Sequence, residues 1–159
     1  VELILVIVIL GIVAAFVGPV LLNAVEAYQR TQTSGQTHAK VRYALERMSR
    51  EIREVARGVT DARTLQISTM TASTLAFVNT QGRTIVFSRT GDTLTMSDTT
   101  LTGVLTDQIG TFSFAYFQPN ATAVAGTTSS LAYVQISLAV SEGTAQYASR
   151  VRVDIKNTE

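Results

Sequence analysis

One carboxylate, Glu2, stands ahead of an unbroken apolar run from Leu3 to Leu22. That run is long enough to cross a bilayer, and a carboxylate at its mouth is costly in hydrocarbon unless a cation pairs with it. The chemistry on offer there is charge pairing in a dry place. Elsewhere the chain is sparing with reactive groups. His38 is its only histidine and it has no cysteine, so no Cys-His or paired-histidine spacing for a metal arises, and His38 reads as a solvent-facing helical residue. Asp92, Asp98 and Asp107 fall in turn-like stretches, where a carboxylate that bonds its own backbone explains them better than catalysis does. No nucleophile has a base beside it in a known motif, and no glycine-rich loop precedes a helix to hold phosphate. Neither an enzyme nor a cofactor is expected. Asn120-Ala121-Thr122 matches the N-glycosylation triplet, a pattern short enough to arise by chance.

Composition narrows the setting for that lone acid. The chain has 159 residues, 46% hydrophobic and 16% charged, with a net charge of +1, which is one domain's worth of material plus a segment foreign to an ordinary soluble core. The basic residues are interleaved with acids rather than massed, so nucleic acid is disfavoured as a partner. A cleaved secretory signal would need a basic stretch before the run and a small-residue exit after it. Neither is present, and the run is expected to be retained as an anchor.

Behind the run, Gln36 to Arg57 places Val41, Leu45, Met48, Ile52 and Val55 at steps of four, three, four and three, one narrow apolar stripe along a helix. The opposite face carries Arg42, Glu46, Arg47, Arg50, Glu51, Arg53, Glu54 and Arg57. Glu46 with Arg50 and Glu54 with Arg57 stand at pairing distance. That face is either solvated or a docking surface, and Gly58 is expected to stop the helix. Between run and stripe, Arg30 to Thr37 is rich in hydroxyl residues and holds Gly35, so a bend or weak stretch is expected. Gly11, Gly18 and Pro19 weaken the first helix from within.

After Gly58 the pattern changes to alternation broken by turn residues, a meander of strands. The expected strands are 64–70, 74–79, 83–89, 93–97, 112–117, 131–140 and 145–155, with hairpin turns at Gln81-Gly82 and Gly91-Asp92. One sheet face is apolar and needs a cover, which the stripe supplies. The expected fold is α+β: a long N-terminal helix, kinked or melted near Gly11–Pro19, packed on an antiparallel sheet as the handle of a ladle. Three segments follow: residues 1–25 as the apolar anchor, 26–58 as the amphipathic helix and 59–159 as the β head.

The segment Glu2-Leu-Ile-Leu-Val-Ile-Val-Ile-Leu-Gly-Ile-Val-Ala-Ala15 resembles the N-terminal segment of type IV pilins and the related pseudopilins. In that family a glutamate precedes the apolar run, a glycine follows nine residues later, and often a proline eight beyond it; Glu2, Gly11 and Pro19 keep those separations. The stretch from Arg42 to Arg53 is similar to helices of haemagglutinin-type minor pilins. The likeness is strong over about the first 25 residues, and it implies three further residues ahead of Val1. Many pilins pin a C-terminal loop with a cysteine pair, which this chain lacks.

The resemblance implies a structural subunit of a bacterial type IV pilus, a helical homo-oligomer with helices inward and β heads outward. It implies residence in the inner membrane before assembly, processing by a prepilin peptidase and handling by a pilus assembly machinery. Glu2 would pair with a neighbour's terminal ammonium and set register; the plainer alternative leaves it among lipid headgroups. The helix near Pro19 would melt on assembly; the plainer alternative is a proline kink with close helix contacts at Gly11 and Gly18. A minor pilin, a type II secretion pseudopilin and a single-pass anchored binding domain remain the other readings.

Overall fold

The computed structural model describes residues 2–59, 61, 64–120, 122, 124–143 and 145–155. Its first element is one helix, α1, from Glu2–Arg53. In the single chain the helix is unbroken through Gly11, Gly18 and Pro19; the melting expected there belongs to the assembled filament. Proline removes one amide donor and crowds one carbonyl, at about 3 kcal/mol, yet the helix continues on both sides of Pro19. The weak stretch expected at 30–37 is helical too. The Thr31 and Thr37 hydroxyls donate to the carbonyls of Ala27 and Thr33, each at 2.9 Å, so groups that could compete with the helix bond back onto it.

The helix also ends earlier than expected, at Arg53 rather than near Gly58. Val55 and Arg57 leave it as extended chain and bridge Asn79 and Leu65, and the Ala56 amide donates to the Val78 carbonyl at 2.8 Å. Strand-like pairing here satisfies the backbone better than one more exposed turn. Arg50 and Arg53 occupy the last helical turn, where cations suit the negative end of the helix dipole.

The expected single sheet is two. Strands β1 (Ile67–Met70), β2 (Thr74–Val78), β3 (Thr84–Thr90), β4 (Thr93–Ser97) and β5 (Thr102–Thr106) form an antiparallel sheet in chain order. Strands β6 (Ile109–Phe117), β7 (Tyr133–Glu142) and β8 (Ala145–Asp154) form a second. Between them Gln108 adopts φ 56°, an unusual left-handed turn for a residue with a side chain, and β5 and β6 do not pair. β5 has no counterpart among the expected strands. The two-residue loop at Gly91-Asp92 forms as expected, with Thr90 opposite Thr93 and Gly91 at φ 63°.

α1 lies across β7 and β8 and touches β5. Beneath it a single apolar core joins both sheets: Met48 and Ile52 of the helix meet Phe77, Phe87 and Leu94 from one sheet and Phe114, Ile136 and Val153 from the other. The expected α+β architecture, one long helix on antiparallel sheet, is therefore present. The sheets are also stitched by polar bonds. The Tyr116 hydroxyl donates to the Thr71 carbonyl at 2.7 Å, and the Phe114 amide donates to the Ala72 carbonyl at 2.8 Å. Burial of Tyr116 pushes its phenol above the usual tyrosine range.

Candidate assembly surface

The helix belongs to two environments. Thr37 is its first buried residue; Glu26 to Thr33 pass beside the β7–β8 turn at Glu142 and Gly143, and the stretch before them, from Glu2 to Val25, stands clear of the head over about 35 Å at the usual helical rise. An 18-residue window of α1 reaches mean hydropathy 3.0 with none of it buried, and the helix is long and apolar enough to cross a membrane. Leu3 and Phe16 are both 73% exposed, which is far from what such side chains adopt in water without a cover. At Gly11 and Gly18 an added Cβ would meet nothing within 4 Å, so each is a notch where another helix can approach closely. Pro19 lies beside the second notch.

Glu2 sits in the first turn of α1, where its charge suits the positive end of the helix dipole. Its side chain is exposed and, among the described residues, has no hydrogen bond or ion pair. The carboxylate is presented at the tip of the rod.

Where the rod meets the head, a polar cluster fixes it. Lys40 Nζ lies 3.2 Å from Asp107 Oδ1 and 3.2 Å from Glu142 Oε2, and the Thr37 hydroxyl, which shares its one hydrogen with the Thr33 carbonyl, lies 3.3 Å from the same Glu142 oxygen. The hydrogen bond to Asp107, aided by that to Glu142, holds the Lys40 ammonium above the usual lysine range. The residue-by-residue reading missed this cluster. Its one local signal is Thr37, four residues before Val41, which continues the stripe upward.

The stripe itself lies in the core: Val41, Met48 and Ile52 are fully buried, Leu45 and Val55 nearly so. Val55 contributes from the extended chain after the helix. On the outer face the ion pairs differ from those expected. Glu46 meets Arg42 at 2.8 Å instead of Arg50, and Arg47 reaches the buried Glu51 at 2.8 Å. Arg57 lies beyond the helix, so its spacing from Glu54 is no longer helical.

His38 is exposed, as its position suggests, yet its ring lies against Tyr147 of β8 with centroids 3.8 Å apart. From that contact a groove of about 1070 Å³ runs between α1 and β8, with Val41, Leu45, Ser49, Tyr147 and Val151 along it and Arg50 and Arg53 toward its far end. Nothing in the sequence pattern announces the groove, because it depends on how the helix crosses the sheet.

The remaining candidates are scattered. Asp98 accepts the Thr100 amide at 2.8 Å and faces Arg83 at 2.8 Å. The Thr100 bonds, with Arg83 adding to them, hold its carboxyl below the usual range. Asn120 Oδ1 accepts the Thr122 amide at 3.1 Å, a local turn far from the rod; Ala121, the middle of the triplet, lies outside the described residues. Among the described residues no three His, Asp or Glu side chains gather to hold a metal. The structure thus brings the stripe residues together in the head, and leaves Glu2, Gly11, Gly18 and Pro19 on the bare rod. No known family model matches the chain, and no curated protein matches it.

Proposed function

We propose that this chain is a structural subunit of an extracellular bacterial type IV pilus, assembled through its rods with the β heads outward. The observation that carries the reading is a bare apolar helix on a fully cored head. Each large apolar side chain left in water forgoes roughly 1.5 to 3 kcal/mol, so the rod must lie in lipid or against other apolar surface. Lipid satisfies it before assembly, in the inner membrane. Copies of itself satisfy it afterwards, with the pilus machinery and prepilin peptidase that the family resemblance implies. Serving as a minor pilin or a type II secretion pseudopilin would use the same surfaces in a shorter polymer.

Between lipid and a like helix the hydrophobic gain nearly cancels, so packing at the notches and pairing of polar groups decide the arrangement. Glu2 is the polar group the rod offers. Opposite a neighbour's terminal ammonium it is neutralised, and removing one partner from such a buried pair costs about 3 to 5 kcal/mol. The test compares wild type with Glu2→Ala in cells carrying the assembly machinery. The variant is expected to insert in the membrane normally and to lose more than nine-tenths of the fibre recovered by shearing. Wild-type fibre yield from Glu2→Ala would defeat the register role. A wild-type chain that stays in the membrane fraction as single copies would favour the anchored binding domain.

A further inference from the structure

The head has two different flanks, one on each side of α1. Lys40, Arg47 and Glu51 share one side of the helix, and Lys40 there meets the β5–β6 connection through Asp107. His38, Arg42, Ser49 and Arg53 share the other, where the groove opens beside β8. The core residues Val41, Met48 and Ile52 separate the two sides, as three- and four-residue spacing requires.

Each flank ends in an unpaired strand edge. Among the described residues β8 pairs only with β7 and β5 only with β4, and such edges are templates for further pairing. The β5 side has the more conspicuous apolar groups, with Leu101 in the turn just before the strand 77% exposed and Val104 within it 65% exposed. Gly103 pairs with Met96, whose side chain packs against the core. Leu101 closes the β4–β5 turn, its carbonyl accepting the Asp98 amide at 2.8 Å, two residues before Gly103. At Gly103 an added Cβ would meet nothing within 4 Å, so the edge is open to a close backbone approach.

We propose that the groove beside β8 receives the β5 edge of a second copy of this chain, with Leu101 seated between Leu45, Tyr147 and Val151. The inference rests on the filament reading above and names the contact between heads. The lengths are compatible: β5 offers five residues, Thr102–Thr106, to a β8 edge of ten, Ala145–Asp154. The charges agree as well. The groove carries Arg42, Arg50 and Arg53 against Glu46 and Glu54, a surplus of one cation, while on the β5 flank the single Lys40 is shared by two carboxylates, Asp107 and Glu142, a surplus of one anion. Because donor edge and receiving groove are different surfaces on opposite flanks, each copy that receives one neighbour offers its edge to the next. Such a heterologous contact propagates into an open helical array instead of closing as a dimer, and strand addition supplies its backbone bonds.

The chain has no cysteine, so introduced thiols report this contact without background. In sheared fibres of the full chain carrying both Leu101→Cys and Val151→Cys, mild oxidation is expected to give a ladder of covalent dimers, trimers and higher species on a non-reducing gel, with each single variant remaining monomeric. Leu101→Arg, at a side chain too exposed to matter for folding, is expected to lower fibre yield at least tenfold while membrane insertion is unchanged. Fibres from the double variant without a ladder, or wild-type yield from Leu101→Arg, would overturn the head contact and leave the rod reading standing. Failure of the wild-type chain to form fibres would overturn both.

Discussion

Single side chains in this protein divide by the distance over which they act. Glu2 and the stripe from Val41 to Val55 were legible because their meaning is local: an acid before an apolar run, and apolar groups at helical spacing. The Thr37–Lys40–Asp107–Glu142 cluster was not, since Lys40 and Glu142 lie 102 residues apart and neither stands out alone. Tyr116 is a similar case. It falls at an apolar position of an alternating strand, and its hydroxyl finds the Thr71 carbonyl only because two sheets meet there. Tyr116→Phe is expected to lower unfolding stability by about 0.5 to 1.5 kcal/mol, the net worth of one partly buried hydrogen bond, in chemical denaturation of the head. Its pH dependence has a definite sign. The folded state holds the phenol above the ordinary value of 10.0, so the unfolded chain ionises first; the tyrosine's contribution is complete below pH 10 and is lost as pH rises through the folded value. Wild type should therefore lose stability more steeply above pH 10 than Tyr116→Phe does.

At the scale of elements, periodicity carried the long helix and most of the strands, and failed where neighbours outvoted it. The stretch 30–37 contains poor helix formers, yet remains helical because helix stands on both sides, with the Thr31 and Thr37 hydroxyls bonded to the carbonyls four residues back. The helix end moved to Arg53 because Val55 and Arg57 gained bridge partners that sequence spacing does not reveal. β5, Thr-Gly-Val-Leu-Thr, has no clean alternation and exists through pairing with β4. The split into two sheets turns on the conformation of Gln108, a residue that gives no such warning. The weak stretch yields a specific expectation. At Gly35 an added Cβ would meet nothing within 4 Å, so Gly35→Ala should stabilise the local helix by about 1 kcal/mol. Amide exchange around residues 31–37 should slow roughly fivefold, with exchange in β2 and β3 unchanged; faster exchange at 31–37 would show that the glycine is needed for the helix to form.

For the molecule as a whole, the argument is about what a rod and a head each require. The head owns a complete core, with Met48, Ile52, Phe77, Phe87 and Ile136 fully buried, and asks nothing of the first half of α1. A chain lacking residues 1–25 is therefore expected to be soluble and to unfold cooperatively. In that fragment Met48→Ala should cost about 2 to 5 kcal/mol, as large-to-small changes in a packed core do, read from its denaturation midpoint. An aggregating fragment would mean that the rod supports the head. The rod, in contrast, is incomplete alone, and the account stands on what completes it. Electron microscopy of fibres sheared from cells producing the full chain, carried to a resolution that separates helices, tests this most directly. The account predicts an ordered polymer whose axis is a bundle of parallel helices, with Glu2 enclosed near a neighbour's amino terminus and the β heads on the outside. Preparations that hold only solitary chains in membrane, or fibres joined by their heads with the apolar helices facing solvent or lipid, would contradict it.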